Sequence, residues 1–401
     1  MIRLLTTVAA ALLLGACSSS SVLTVEPPAE LTDFKPQLDV EALWARQLGK
    51  GVDRHFIKLA PLVERDRVYA ANRKGLVESF DLADGSRQWR ADLATSINAG
   101  PGDGGDVLLF GGDAEVIAVN KADGAERWRA PVSSEVLATP VRRGGVVVAH
   151  AVDGTVFGLD AGDGHVLWRY SQQVPLLSLR GVGQPQIEGG IVVIGFANGR
   201  IAALTVAEGR LIWEQALAVA RGRTELERMV DVDGRLVVNQ GVVYAAGYQG
   251  RIAALTLDSG RLLWTREFSS YTGIAASESE LYVTDADGNL WALARGNGGT
   301  LWKQTALHGR RLSAPSIQGN AVVVADYEGY VHWLSRDDGH LLARARVEDW
   351  EALFPLPQEY DPYPYKEDRG VLAAPRVVDD HVYAMDKRGA LDAFWVKPLQ
   401  P

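Results

Sequence analysis

Ile252-Ala-Ala-Leu-Thr-Leu-Asp-Ser-Gly-Arg-Leu-Leu-Trp264 is the stretch whose reading decides the fold. Two apolar runs flank Asp258-Ser-Gly260, residues that tolerate a positive φ or bond their own backbone. That is a hairpin, not a helix. The same thirteen-residue phrase returns at Val77–Trp89, Val116–Trp128, Val156–Trp168, Ile201–Trp213, Leu290–Trp302 and Val331–Ala343. Each copy places Gly four residues before its last position, and every copy but the seventh ends in Trp. Upstream of each phrase lies another apolar run, as in Gly241-Val-Val-Tyr-Ala-Ala-Gly247. A Pro often opens the first strand of a unit (Pro61, Pro101, Pro140, Pro185, Pro315), where a missing N–H costs little. Each unit therefore reads as four antiparallel strands, repeated with a period of roughly 40 residues.

Repeats of this size predict an all-β chain folded as an eight-bladed β-propeller. An open stack of hairpins would leave sheet edges unpaired at both ends. The chain ends argue for closure instead. A last unit begins at Pro375, but the chain stops at Pro401, before its phrase could reach a Trp. Conversely, Ala42-Leu-Trp-Ala-Arg-Gln-Leu48 supplies a Trp strand with no hairpin before it. The N-terminal strand is thus expected to complete the last blade, with the propeller covering 39–397.

The 401 residues are ample for one propeller with a large core. Net charge is −9 and no basic stripe is present, which speaks against a nucleic-acid partner. The N-terminus reads separately. Arg3 precedes an apolar run from Leu4 to Leu14, too short to span a bilayer comfortably. Leu14-Gly-Ala-Cys17 follows, then Ser18-Ser-Ser-Ser21. This resembles the bacterial lipoprotein signal, in which the Cys becomes the first mature residue and carries lipid. It implies a signal peptide over 1–16 and acylation at Cys17. Each buried CH₂ of an acyl chain contributes about 0.8 kcal/mol, and two or more chains anchor stably. Ser18 after the Cys resembles the outer-membrane sorting pattern. Cys17 is the only cysteine, so no internal disulfide can form. Residues 17–38, polar and dotted with Pro, read as a flexible tether.

The search for catalytic chemistry is mostly negative. No histidine sits in a HExxH or at metal-ligand spacing, and no GxSxG is present. His165 and His340 follow the phrase Gly and read as solvated turn residues. Asp231-Val-Asp233-Gly and Asp285-Ala-Asp287-Gly hint at calcium but lack the Gly and Glu an EF-hand loop requires. No catalytic, metal or cofactor residue is assigned.

Spacing is more informative. Trp89 to Trp128 is 39 residues, but Trp168 to Trp213 is 45 and Trp213 to Trp264 is 51. The excess falls after the Trp strand, in 171–182 and 217–232, and a third long connection runs over 347–371. In a propeller these links emerge on one face, where long loops carry function. Pro175-Leu-Leu-Ser-Leu-Arg180 and the charge-rich Arg221-Gly-Arg-Thr-Glu-Leu-Glu-Arg228 suit an apolar strip ringed by charge. Alternatively, Leu177 and Leu179 fold back on the propeller. The stretch Asp349–Tyr365, rich in aromatics, Pro and acid, reads as a clamp over the last seam or as a contact loop.

Asp-x-x-Asp-Gly-x-x-x-Trp, as in Asp81–Trp89, resembles the quinoprotein repeat. That resemblance raises a quinone-dependent dehydrogenase, or a small-ligand sensor, working in the propeller funnel with pyrroloquinoline quinone and calcium. One cysteine cannot make the vicinal disulfide many such enzymes carry. The lipoprotein signal, the acidic propeller and three stretches together are similar to the BamB family: Leu176-Leu-Ser-Leu-Arg-Gly181, Thr224–Arg228 with Asp231-Val-Asp233, and Asp326–Trp333. BamB proteins are lipoprotein subunits of the machinery that inserts β-barrels into the Gram-negative outer membrane. The resemblance implies a non-enzymatic scaffold on the periplasmic face of that membrane, binding the POTRA domains of the barrel subunit BamA. It implies contacts at Leu177, Leu179, Arg180, Asp231 and Asp233, and client strands held by addition to blade edges.

Overall fold

The computed structural model describes residues 26–398, apart from 53–54, 180, 221, 225, 233 and 348–368. Its strands form eight four-stranded antiparallel sheets, seven of them running in sequence order from the innermost strand outward. Blades one to seven span 62–92, 99–131, 141–171, 186–216, 237–268, 274–304 and 316–346. The eighth takes three strands from 376–398 and its outermost strand from the N-terminus. That strand, Leu38–Gln47, pairs antiparallel with Ala390–Pro398 from Leu38↔Pro398 to Gln47↔Ala390. The ring is therefore closed by hydrogen bonds between the two ends of the chain.

The two middle strands of each blade are buried on both faces, which is why they read as unbroken apolar runs. Outer strands alternate instead; Leu211–Ala216 exposes Leu211 and Ile212 and buries Trp213. The core lies between neighbouring blades. Tyr244, Ile252 and Ala254 of blade five, for example, pack on Leu281, Val283 and Leu293 of blade six.

The Trp and the Gly of the phrase are two halves of one joint. Each Trp indole N–H donates to a backbone carbonyl in the phrase of the following blade. Trp89 reaches the Lys121 carbonyl at 2.9 Å, Trp128 that of Ala161 at 3.0 Å and Trp168 that of Val206 at 2.9 Å. The phrase Gly passes beneath the same ring. A Cβ on Gly124 would stand 2.7 Å from Trp89, and Gly164, Gly209, Gly260, Gly298 and Gly339 meet the preceding Trp in the same way. Trp44 on the N-terminal strand docks on blade one identically, through the Leu82 carbonyl at 3.0 Å and over Gly85. The exception at Ala343 now has a cause. The third and fourth strands of blade eight come from opposite ends of the chain, so no phrase turn exists there for a Trp to cover.

One expectation needs correction. Residues 17–38 read as flexible, yet 29–37 are bonded to the body. Ala29 N–H donates to the His308 carbonyl at 2.9 Å, and Gln37 N–H to that of Leu342 at 2.7 Å. Arg310 Nη1 donates to the Ala29 carbonyl at 3.1 Å, and the Arg344 guanidinium lies 5.1 Å from the Phe34 ring centre. Leu31 adds an apolar contact with the core between blades six and seven. Cys17 and the rest of the stretch before Glu26 lie outside the described residues.

Candidate functional site

Strand order places every link from an outermost strand to the next innermost strand on the same face of the ring. Two of the longest are neighbours there. The first, 172–185, joins blades three and four; the second, 217–236, joins blades four and five. The third, 347–375, precedes blade eight, but its aromatic stretch lies outside the described residues.

The first two links are locked together. Leu179 N–H points to Asp231 Oδ2 at 3.4 Å. Asp231 in turn pairs with Tyr248, whose N–H donates to the Asp231 carbonyl at 2.8 Å. Gly183 is wedged between them: a Cβ there would stand 2.6 Å from the Gly195 carbonyl oxygen and 2.9 Å from that of Val232. Below, His150 of blade three is buried and its Nδ1 lies 3.1 Å from the Gly183 carbonyl. Its other side meets the Phe196 ring edge-on, with centroids 5.0 Å apart. Burial holds the imidazole down to a pKa of about 4, against the opposing pull of the Gly183 carbonyl. The ring is therefore neutral at physiological pH, and Nδ1–H is the donor.

The second link has its own local device. Glu227 N–H donates to Thr224 Oγ1 at 3.2 Å, while Glu227 Oε2 accepts from the N–H groups of Arg223 at 2.7 Å and Thr224 at 3.2 Å. This reciprocal arrangement is a capping box on a single turn. It holds Leu226 outward, and Val230, Val232 and Leu236 are buried to either side of Asp231 and seat the rest of the link.

The sequence-derived contact residues fall into three groups. Leu177 is exposed, as a docking residue must be. Leu179 is partly covered and Asp231 fully buried, so Asp231 holds the two links in place rather than offering surface. Arg180 and Asp233 lie outside the described residues. Sequence reasoning passed over three further exposed apolar side chains on these links: Leu176, Val219 and Leu226. Leu176 and Leu226 stood inside the stretches singled out, but apolar identity alone does not show which loop residues turn outward. Thr224-x-x-Glu227 was a readable signal for the capping box.

Calcium and a quinone are the ligands that the quinoprotein-like repeat suggests for the central channel. Calcium needs six to eight oxygen ligands. Asp103 is the single carboxylate among the described residues lining the two channel cavities, and Lys121 Nζ holds it at 2.7 Å. Among the described residues no aromatic side chain lines either cavity to stack on a planar ring. The residues present do not fit that pair. Asp285 is likewise engaged within its own turn, accepting from Asn289 N–H at 2.8 Å and Trp291 Nε1 at 2.8 Å. Asp160, Asp163 and His165 bring three possible ligand atoms within 4.8 Å of one another on a turn, where His165 and Asp163 are exposed and bond each other at 2.7 Å.

Residues 73–304 match the family model described as outer membrane protein assembly factor BamB. The chain is 39% identical to the BamB of Pseudomonas aeruginosa over 390 residues, 97% of each chain. It is 41% identical to that of Alkalilimnicola ehrlichii over 389 residues, covering 94% of this chain and 98% of the relative. Among solved structures, BamB from Moraxella catarrhalis superposes with a TM-score of 0.77 at 28% identity, covering 89% of this chain and 100% of that one. A quinohemoprotein alcohol dehydrogenase from Comamonas testosteroni superposes with a TM-score of 0.67 at 12% identity, over 89% and 76%, a likeness of fold alone.

Proposed function

Because this chain belongs to the BamB family of outer membrane protein assembly factors, we propose that it is a lipid-anchored, non-enzymatic scaffold that docks on the POTRA domains of BamA. The lipid sits on Cys17 and holds the propeller at the periplasmic face of the outer membrane. The face bearing links 172–185 and 217–236 meets the partner. The observation that carries this reading is the lock between those links, Leu179 on Asp231 and Gly183 against Val232. It holds two long connections in one rigid arrangement while Leu176, Leu177, Val219 and Leu226 stay exposed. Exposed apolar side chains on a preorganised support are what a protein interface needs at its centre. Arg180 and Asp233 are the charged members of the contact set, and Asp231 positions the links.

The test is a pull-down on purified POTRA domains. Leu177→Ala with Arg180→Ala is expected to weaken binding at least tenfold with an unchanged melting temperature. Wild-type binding by the double variant would remove this face from the interface. Replacing Cys17 by Ala should release the protein from the outer-membrane fraction, and retention there would rule out the lipid as anchor.

A further inference from the structure

The innermost strands enclose a channel with two described cavities. One, of about 480 Å³, is walled by blades one to four and eight; the other, of about 320 Å³, by blades five to eight. Arg376 is the first residue of the innermost strand of blade eight and lines both. Arg235 stands just ahead of the innermost strand of blade five and lines the second. Its backbone is fixed to blade six: Arg235 N–H meets the Thr272 carbonyl at 3.4 Å, and Ile274 N–H donates to the Arg235 carbonyl at 3.0 Å. The Arg235 side chain is exposed to the solvent of the channel.

Among the described residues no carboxylate pairs with either guanidinium. Several other buried or half-buried arginines have acids: Arg310 holds Asp326 at 2.7 Å, Arg336 holds Glu280 at 2.6 Å and Arg129 holds Glu115 at 2.9 Å. Buried Arg295 has none, but neutral oxygens of Tyr244, Ser277 and Asn239 take its donors. Arg376 Nε is buried and makes no hydrogen bond among the described residues. Loss of water contact, then the nearby charge of Arg235, brings Arg376 down to a pKa of about 10. Burial alone lowers Arg235. Among the described residues no carboxylate offsets either shift, and Asp103, the single acid of those lining the two cavities, is taken by Lys121. Like charges facing one cavity repel, and an opposite charge between them relieves that cost.

We propose that the channel is an anion site, taking a small oxyanion, carboxylate or phosphate, between Arg235 and Arg376. The planar fork of each guanidinium matches both ligand types with paired N–H donors. A cavity of about 320 Å³ admits phosphate with its nearest waters, or a short dicarboxylate. Arg235 closes the link 217–236 and Arg376 follows the link 347–375, so a bound anion joins the ends of two long connections across the ring. The site does not depend on the partner-docking reading above.

Calorimetric titration of the full-length protein tests it, with inorganic phosphate and with succinate, against chloride at fixed ionic strength. The expected result is saturable one-to-one uptake of at least one of the two. Which anion binds more tightly separates a phosphate source from a carboxylate source. Arg235→Gln and Arg376→Gln should each weaken the preferred anion at least tenfold. In anion-free buffer both variants should melt at or above the wild-type temperature, because a repulsion has been removed. No saturable uptake by the wild type, unchanged affinity in both variants, or melting of both well below wild type without anion would each overturn the proposal.

Discussion

His150 Nδ1 lies 3.1 Å from the carbonyl oxygen of Gly183, and this bond fastens link 172–185 to the body of blade three. The ring is buried and its pKa sits at about 4, below the ordinary 6.5. Folding therefore favours the neutral form. The stability it contributes is present above pH 6.5 and is lost as pH falls toward 4, by as much as ~3 kcal/mol. Protection factors for hydrogen exchange across 172–185, taken relative to intrinsic exchange at each pH, should fall over that window. His150→Asn places a neutral amide near the Nδ1 position and takes up no proton. It should exchange faster than wild type at pH 7.5, from lost packing on Phe196, yet change little down to pH 4.5. Equal pH slopes in the two proteins would mean that another group controls the link.

Gly183 is the second point on which the link depends. A methyl there would collide with the carbonyls of Gly195 and Val232, and both belong to backbone that cannot swing away cheaply. Gly183→Ala is expected to lower stability by ~1–3 kcal/mol, the usual cost of overpacking. It should also part the two links and weaken POTRA capture more than its melting shift explains. Gly145→Ala is the control, since a Cβ at Gly145 meets nothing within 4 Å. If Gly183→Ala binds like Gly145→Ala, the lock is not what presents the face.

These contacts divide into what a sequence reader can and cannot find. The Trp–Gly joint is local in origin: strand alternation, a Gly turn and a Trp lie within thirteen residues, so the blades were countable. Closure was also legible, because Trp44 has a strand without a hairpin and the last unit has a hairpin without a Trp strand. His150 and Gly183 are 33 positions apart, one in blade three and the other in the link that follows it, and nothing in either residue announces the other. Asp231 misled because acids are usually exposed; its burial is fixed by Val230 and Val232 beside it and by the Tyr248 pairing. The 29–37 stretch misled through composition, since its few apolar residues, Leu31 and Phe34, are the ones that find the propeller.

The joint makes an asymmetric prediction at the two exceptional positions. Trp44 is buried, lies 5.9 Å from the Tyr383 ring and donates to the Leu82 carbonyl. Trp44→Ala should cost ~3–5 kcal/mol and open the ring at the seam between blades eight and one. Ala343 occupies the corresponding place in blade seven, is buried and faces no phrase turn. Ala343→Trp, which restores the repeat consensus, should therefore destabilise rather than stabilise. A rise in melting temperature for Ala343→Trp would contradict the explanation given for its absence.

Asp386 offers the opposite sign of pH dependence. It sits in the turn between the second and third strands of blade eight, where its Oδ1 accepts from Ala390 N–H at 2.8 Å. Asp326 and Asp285 hold the equivalent place in blades seven and six with an Arg310 or a Trp291 donor to add. Asp386 has backbone N–H groups and the charge of Arg388 set against its burial, and burial wins: its pKa is pushed up to about 7. Blade one uses Asn72 there, whose Oδ1 accepts from Leu76 N–H at 3.2 Å in the same pattern. The folded state thus favours protonated Asp386. The benefit is whole below about pH 3.8 and disappears as pH rises through about 7, a swing of at most ~4 kcal/mol. Asp386→Asn keeps the acceptor and removes the charge, so it should match wild type near pH 3.5 and exceed it at pH 8. Denaturant melts at the two pH values check this; a variant less stable than wild type at pH 8 would show that the ionised carboxylate is favoured after all.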